Sequence, residues 1–250
     1  MNDALLQRYS RQLVLPEVDF IGQKAIENAR IGIVGMGGLG SIAALYLAGA
    51  GVNFLRLFDY DHIEVSNLHR QIAYRETDIG EAKAIVAARE CQKLNRHGQV
   101  EAIHQKLSES EMGLHLSDLD LILDGTDNFK SRFALNRLSV QYRKPLVMGA
   151  AIQWAGQWAL YQGYLETAPC YACVFPEFAQ EQRVSCQEVG VMGPVAGMVG
   201  NMMALMALQF LLKTPQPPVL HHFDGTTHSL KRIPLSKDPS CAVCLRHPVI

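Results

Sequence analysis

Residues 29–52 read ARIGIVGMGGLGSIAALYLAGAGV. A short Ile/Val run, a glycine-rich turn and an Ala/Leu-rich stretch follow one another. The run has the length and composition of a buried strand, and the last part that of a helix closing at Gly51. Between them lies GMGGLG, residues 35–40. In a strand–turn–helix unit such a loop holds phosphate. Gly35 allows the tight turn, Gly37 and Gly38 let backbone amides approach a ligand, and Gly40 lets the helix pack closely. The helix N-terminus adds partial positive charge. Asp59 follows about twenty residues on, the spacing of a carboxylate that binds ribose hydroxyls. No GxxxxGK[ST] pattern is present, so a lysine for terminal phosphates must come from another segment.

Working outward, strands are expected over residues 53–59, 100–104, 120–124 and 145–149. Helices are expected over 39–50, 80–94 and 129–142. Strands alternating with helices imply βαβ units and a mostly parallel sheet, and the right-handed crossover rule makes the fold doubly wound. The predicted class is α/β: a Rossmann-like, doubly wound sheet extended by antiparallel strands. Residues 1–29 read as an N-terminal helical arm with breaks at Pro16 and Gly22. Residues 30–150 form a nucleotide-binding half. In residues 151–250 a sheet-like stretch at 151–162 and a hairpin around Asp224-Gly225 form a mixed-sheet half. With no repeats or long linkers, 1–250 is expected to be a single domain.

The chain has 250 residues, 48% hydrophobic and 19% charged, with a net charge of −1. That balance gives no bulk attraction to nucleic acid or to an anionic membrane surface. The N-terminal MNDALLQRYSRQ has no apolar core of a signal peptide, so a cytoplasmic location is expected. Residues 189–213 have the length of a membrane span. Pro194, Asn201, Gln209 and the lack of a second span favour a helix buried inside the protein. No nucleic-acid or membrane partner is expected.

The loop DYDHIEVSNLHRQ, residues 59–71, offers more than a dinucleotide site needs. Asp59, Asp61, Asn67, Arg70 and Gln71 are followed by Lys83 on the next helix. Arg70 and Lys83 suit a triphosphate that extends past the ribose: arginine binds phosphate through a planar fork, lysine as a point charge. The same residues also suit a solvated polar loop. In LILDGTDNFKSR, residues 121–132, Asp124 ends a strand and Asp127-Asn128 precede a helix. These residues serve either as a helix cap or as carboxylates that hold Mg²⁺ on nucleotide phosphates.

Six cysteines are present. Cys170 with Cys173, and Cys241 with Cys244, form two CxxC pairs that suit a closed four-thiolate zinc site without a catalytic position. A thioredoxin-like redox pair is the alternative. Against it, neither pair is expected to open a helix within a βα unit. Cys91 reads as a packing residue. Cys186 lies in a polar stretch near Arg183 and is a candidate reactive thiol.

GMGGLG, DYDHIEVSNLHRQ, DGTDN, YSRQLVLP near the start and the two CxxC pairs together resemble the HesA/MoeB/ThiF family, bacterial relatives of the ubiquitin-activating enzymes. The resemblance runs from about residue 8 to residue 244. It implies ATP- and Mg²⁺-dependent adenylation of the C-terminal glycine of a ubiquitin-like sulfur carrier ending in Gly-Gly, by a homodimer. By resemblance, Gly37, Gly38 and Gly40 line the nucleotide and Asp59 binds the ribose. Asn67, Arg70, Gln71 and Lys83 surround the phosphates, with Asp61 and Asn128 beside them. Asp127 binds Mg²⁺ or positions the reacting carboxylate. Arg11 reaches the triphosphate from the partner subunit, and the four paired cysteines hold zinc. Cys186 falls where one branch joins the carrier through an acyl disulfide. Members usually carry Gln where His69 stands. The molybdopterin and thiamin-thiazole branches both stay open, and sulfur is expected from a separate sulfurtransferase or cysteine desulfurase. The readings from other classes are an NAD-dependent oxidoreductase, which the glycine loop and Asp59 alone would support, and a non-catalytic carrier-binding scaffold.

Overall fold

A computed structural model of the chain describes residues 3–176 and 189–245. Two helices, α1 (Asp3–Leu13) and α2 (Asp19–Asn28), lead into β1 (Arg30–Val34), α3 (Gly40–Ala50) and β2 (Phe54–Phe58). Then come α4 (Lys83–Leu94), β3 (Gln99–Ile103), α5 (Glu109–Leu116), β4 (Leu121–Asp124), α6 (Phe129–Gln141) and β5 (Leu146–Ile152). The remainder is β6 (Ala155–Tyr161), the one-turn α7 (Tyr171–Val174), the long α8 (Gly193–Leu211), and β7 (Val219–Asp224) paired with β8 (Ser229–Pro234).

All eight strands join one sheet in the order β3-β2-β1-β4-β5-β6-β7-β8. Strands β3, β2, β1, β4 and β5 pair in parallel, and β6, β7 and β8 extend the sheet antiparallel. The expected Rossmann-like core with an antiparallel extension is therefore present. The chain leaves β1 toward β2 and later returns to β4 on the other side of β1. Such a switch in strand order opens a crevice at the carboxyl ends of β1 and β4. The glycine turn, the loop after β2 and the loop after β4 all meet there.

Both faces of the sheet are covered, which explains why its parallel strands read as continuous apolar runs rather than alternating ones. On one face α3, α4 and α8 pack with Ile31, Leu57, Leu123 and Val147 into one apolar cluster. On the other, Phe58, Ile122, Phe133 and Tyr161 form a second cluster with α5 and α6. Burying each such side chain contributes about 1.5–3 kcal/mol.

Helix α8 is 19 residues long and apolar enough to cross a membrane. Here it lies against α3, β5 and β6. A Cβ at Gly200 would stand 2.4 Å from the Leu39 carbonyl oxygen, so the helix packs backbone to backbone beside the glycine loop. One face of the segment is buried against the sheet and α3, from Val195 to Ala207, while Asn201 and Leu205 are exposed, so it packs as a half-buried helix rather than one enclosed by the protein.

Two local expectations need correction. Gly22 does not break the arm but lies inside α2. A Cβ there would sit 2.6 Å from Leu212 Cδ2, so the glycine lets α2 close on the end of α8. The break falls instead at residues 14–18, around Pro16. Helix α5 was not anticipated. Its segment ESEMGLHL is short and weakly periodic, and it is started by a Ser108/Glu111 capping box.

The glycine turn has two strict requirements. Gly35 has φ +88°, which favours glycine. A Cβ on Gly40 would fall 1.9 Å from the Gly35 carbonyl oxygen, a backbone atom that cannot move aside. Gly40→Ala is therefore expected to cost more than about 2 kcal/mol and to distort the turn. A urea unfolding midpoint equal to that of the unsubstituted protein would refute this.

Candidate functional site

A cavity of about 910 Å³ occupies the crevice at the carboxyl ends of β1, β2 and β4. Its floor is the glycine turn, with Gly35, Gly37 and Gly38 facing the space. Gly40 begins α3 beneath them and is buried. Asp59 ties this turn to the next loop. One carboxylate oxygen accepts a hydrogen bond from the Met36 amide at 2.7 Å, the other from the Asp61 amide at 2.8 Å. Burial pushes the Asp59 carboxyl above the usual range, while these amides and Lys83 pull it back. Each oxygen keeps a lone pair for a ligand hydroxyl. Tyr74, missed in the sequence, props the turn from below by donating to the Met36 carbonyl at 2.6 Å.

The loop after β2 forms one wall. Asn67 is buried and accepts from the Glu64 amide at 3.2 Å, so it shapes the loop as well as lining the cavity. Arg70 donates to the Ser66 carbonyl at 3.0 Å. Gln71 is 3% exposed, and its Oε1 has no hydrogen-bond partner among the described atoms. A buried amide oxygen left unpaired costs about 1–3 kcal/mol, which a bound ligand would offset. Lys83 opens α4 and reaches Asp61 at 3.1 Å. Its side chain is 9% exposed, against 53% for Asp61. A cation at a helix N-terminus is electrostatically disfavoured. An arriving anion relieves that, and Asp61 holds the ammonium in place until then.

The opposite wall is the loop after β4. Asp127 is exposed and lines the cavity with Asn128. Asn128 caps α6, accepting from the Ser131 amide at 2.9 Å. Asp124, expected to end a strand, closes β4. It is fully buried, accepts from the Thr126 amide at 2.8 Å and does not line the cavity. Burial pushes its carboxyl up. Asp124 sets the loop, and only Asp127 faces the space.

Arg132 lines the same wall and was not anticipated. It is 6% exposed and donates to the Thr126 carbonyl at 2.8 Å. It stands one helical turn after Asn128, so α6 turns it back toward the loop that caps the helix. Gly190, Val191 and Ala196 also reach the cavity from beyond the sheet hairpin. Arg11 is exposed on α1 and does not line the cavity of its own chain.

A separate cluster lies on the other side of α6. The sulfurs of Cys170, Cys173, Cys241 and Cys244 all fall within 4.8 Å of one another. Cys170 is 3.7 Å from Cys173 and 3.6 Å from Cys241, and Cys173 is 3.5 Å from Cys244. Sulfurs around a tetrahedral zinc with ~2.3 Å bonds stand about 3.8 Å apart, so the donor set fits. Asn136 donates to the Cys170 sulfur at 3.6 Å, a contact that orients a metal ligand. Close thiols and burial push the Cys170 thiol up, and burial with its thiol neighbours pushes Cys244 up to about 12. A bound cation reverses that and lets the thiolates coexist. Cys170 caps the one-turn helix α7, which follows the antiparallel strand β6 and is not the helix of a βα unit. Cys91 is fully buried within α4, and burial pushes its thiol up to about 12, as a packing residue requires. Cys186 lies outside the described residues.

The sequence profile of the ThiF family matches residues 9–243. The chain is 39% identical to the sulfur carrier protein adenylyltransferase of Thermus thermophilus, over 97% of this chain and 92% of that one. It is 36% identical to the molybdopterin-synthase adenylyltransferase of Salmonella typhimurium, over 98% of both. At 36% identity it also matches the adenylyltransferase and sulfurtransferase MOCS3 of Anopheles gambiae, but spans only 57% of that protein. Among solved structures, E. coli MccB with ATP shares the fold with a TM-score of 0.81 at 22% identity, over 95% of this chain and 74% of that one.

Proposed function

The chain belongs to the ThiF family, and from that premise we propose that it adenylates the C-terminal glycine of a ubiquitin-like sulfur carrier, consuming ATP and releasing pyrophosphate. One observation carries the reading. Arg70 and Lys83 line the same cavity over the glycine turn as Asp59, two cations more than the ribose-binding carboxylate of a dinucleotide site, with Asp127 as a second carboxylate on the far wall. This surplus and the family membership set the oxidoreductase alternative aside.

Gly37 and Gly38 cradle the phosphates and Asp59 takes the ribose hydroxyls, whereas Gly40, expected to line the nucleotide, is buried and shapes the turn from beneath. Asn67 and Gln71 bond the nucleotide from the wall, with the unpaired Gln71 Oε1 gaining a partner. Arg70 and Lys83 neutralise the triphosphate, so that the carrier's carboxylate can approach the α-phosphorus. They also stabilise the charge that develops there. No general base is required, because a carboxylate is already ionised at neutral pH. Asp61 holds Lys83 ready, and Asn128 fixes the turn that presents Asp127. Mg²⁺ held by Asp127 would screen phosphate charge and favour pyrophosphate as a leaving group. Arg11 enters from the partner subunit of a homodimer. Zinc in the four-cysteine cluster is structural, since four thiolates leave no open position.

The carrier ends in Gly-Gly, and a separate sulfurtransferase or cysteine desulfurase supplies sulfur to the adenylate. The product serves molybdopterin or thiamin-thiazole synthesis. A cytoplasmic location, where ATP is at hand, fits this reading.

The test is carrier-dependent exchange of labelled pyrophosphate into ATP, with each Gly-Gly-ending carrier of the same genome offered in turn. Exchange with one carrier is the expected result and selects the pathway. No exchange with any carrier, with Mg²⁺ present and carrier binding intact, would leave a binding scaffold.

A further inference from the structure

His69 received no role in the sequence, yet it lines the cavity next to the residue that carries most of the phosphate chemistry on that wall. Its Nε2 lies 2.7 Å from Arg70 Nη1. An arginine nitrogen only donates, so Nε2 must accept and the ring proton must sit on Nδ1. The same Nη1 donates to the Ser66 carbonyl at 3.0 Å. One corner of the guanidinium is thus held between a carbonyl and an imidazole, which leaves Nη2 and Nε for a phosphate. The His69 backbone is itself fixed, because the N-terminus of α8 lies so close that a Cβ on Gly193 would meet the His69 carbonyl oxygen at 2.4 Å.

We propose that His69 is a positioning residue: its neutral imidazole accepts from Arg70 and fixes the guanidinium edge that meets the nucleotide phosphates. The role rests on the reading of the cavity as an ATP site. Protonation removes the acceptor and places two cations in contact, so it releases Arg70 from that position. Other charged groups line the same cavity. Glu64 shares the His69 loop, Asp59, Asp61, His62 and Lys83 come from the segments on either side, and Asp127 and Arg132 stand on the far wall. Helix α8, which packs on the His69 backbone, carries no ionisable residue.

A double-mutant cycle read by calorimetric titration with Mg²⁺-ATP on the full-length chain tests this. At about pH 8, His69→Ala should weaken ATP binding about ten-fold, the effect of losing one hydrogen bond to a charged group. His69→Gln, whose amide oxygen also accepts, should restore affinity to within about three-fold. In an Arg70→Ala background, His69→Ala should change affinity by less than about two-fold, because the residue it positions is gone. An undiminished affinity in His69→Ala would overturn the proposal, as would a full loss that persists without Arg70. ATP binding by none of the proteins, the unsubstituted one included, would instead refute the ATP reading beneath it.

Discussion

Asp127→Ala is expected to lower carrier-dependent pyrophosphate exchange by about a thousand-fold or more while leaving the fold intact. The loop that presents Asp127 is rigid at both ends. Before it, Asp124 is buried at the end of β4 and accepts from the Thr126 amide. After it, Asn128 caps α6. Asp127 itself is exposed and carries neither task. Removing an exposed side chain usually changes stability by less than about 0.5 kcal/mol. Removing one group that stabilises developing charge costs about a hundred- to a thousand-fold in rate, and loss of a metal ligand adds to that. Circular dichroism and the melting temperature should match the unsubstituted protein as the exchange signal vanishes. A variant retaining more than about a tenth of the exchange rate would end the assignment of Asp127.

The same variant tests the shared site. Mixed with Arg11→Ala, the proposed homodimer would give hybrids in which one of the two sites has an intact pair of residues. Partial recovery of exchange is expected, whereas hybrids that form and stay inactive would remove Arg11 from the reaction.

The second large effect is on stability. Cys241→Ser, or removal of metal by a strong chelator, is expected to lower the melting temperature by about 10 °C, the equivalent of ~3–5 kcal/mol in a chain of this size. The cluster joins residues 71 apart in the chain, Cys170 to Cys241 and Cys173 to Cys244. It therefore closes a long loop that contains α8, β7 and β8. Without the metal, buried thiols crowd one another with only Asn136 as a described side-chain partner outside the cluster. Elemental analysis should find about one zinc per chain, lost in step with the fall in melting temperature. A chain that carries no metal and melts unchanged after chelation would refute the site.

Much of the nucleotide half was legible because its information is local. GMGGLG, its flanking strand and helix, and Asp59 lie on one continuous segment, and glycine is demanded at Gly40 by a contact with Gly35 only five positions away. The two CxxC pairs carry the spacing of a thiolate site within each pair. What stayed hidden depended on burial. Asp124 and Asp127 are the same residue type three positions apart, yet one is sealed under the loop and the other faces the cavity. Arg132 reads as an ordinary helix charge until α6 turns it back onto Thr126. His69 reads as a loop residue until its ring meets Arg70.

By itself, then, the sequence determined the alternation of strands and helices, the phosphate-binding turn and the identity of the groups able to meet a nucleotide. The first two rest on period and spacing over short segments, the third also on the resemblance of several motifs to one family. The tertiary structure alone decided which of those groups share a cavity, which carboxylate is sealed away, and that Gly190, Val191 and Ala196 close the site from far along the chain. The reason is physical. Backbone preference and hydrophobic period act over a few neighbours, whereas a site at a strand-order switch is assembled by packing elements whose separation along the chain carries no record of their distance in space.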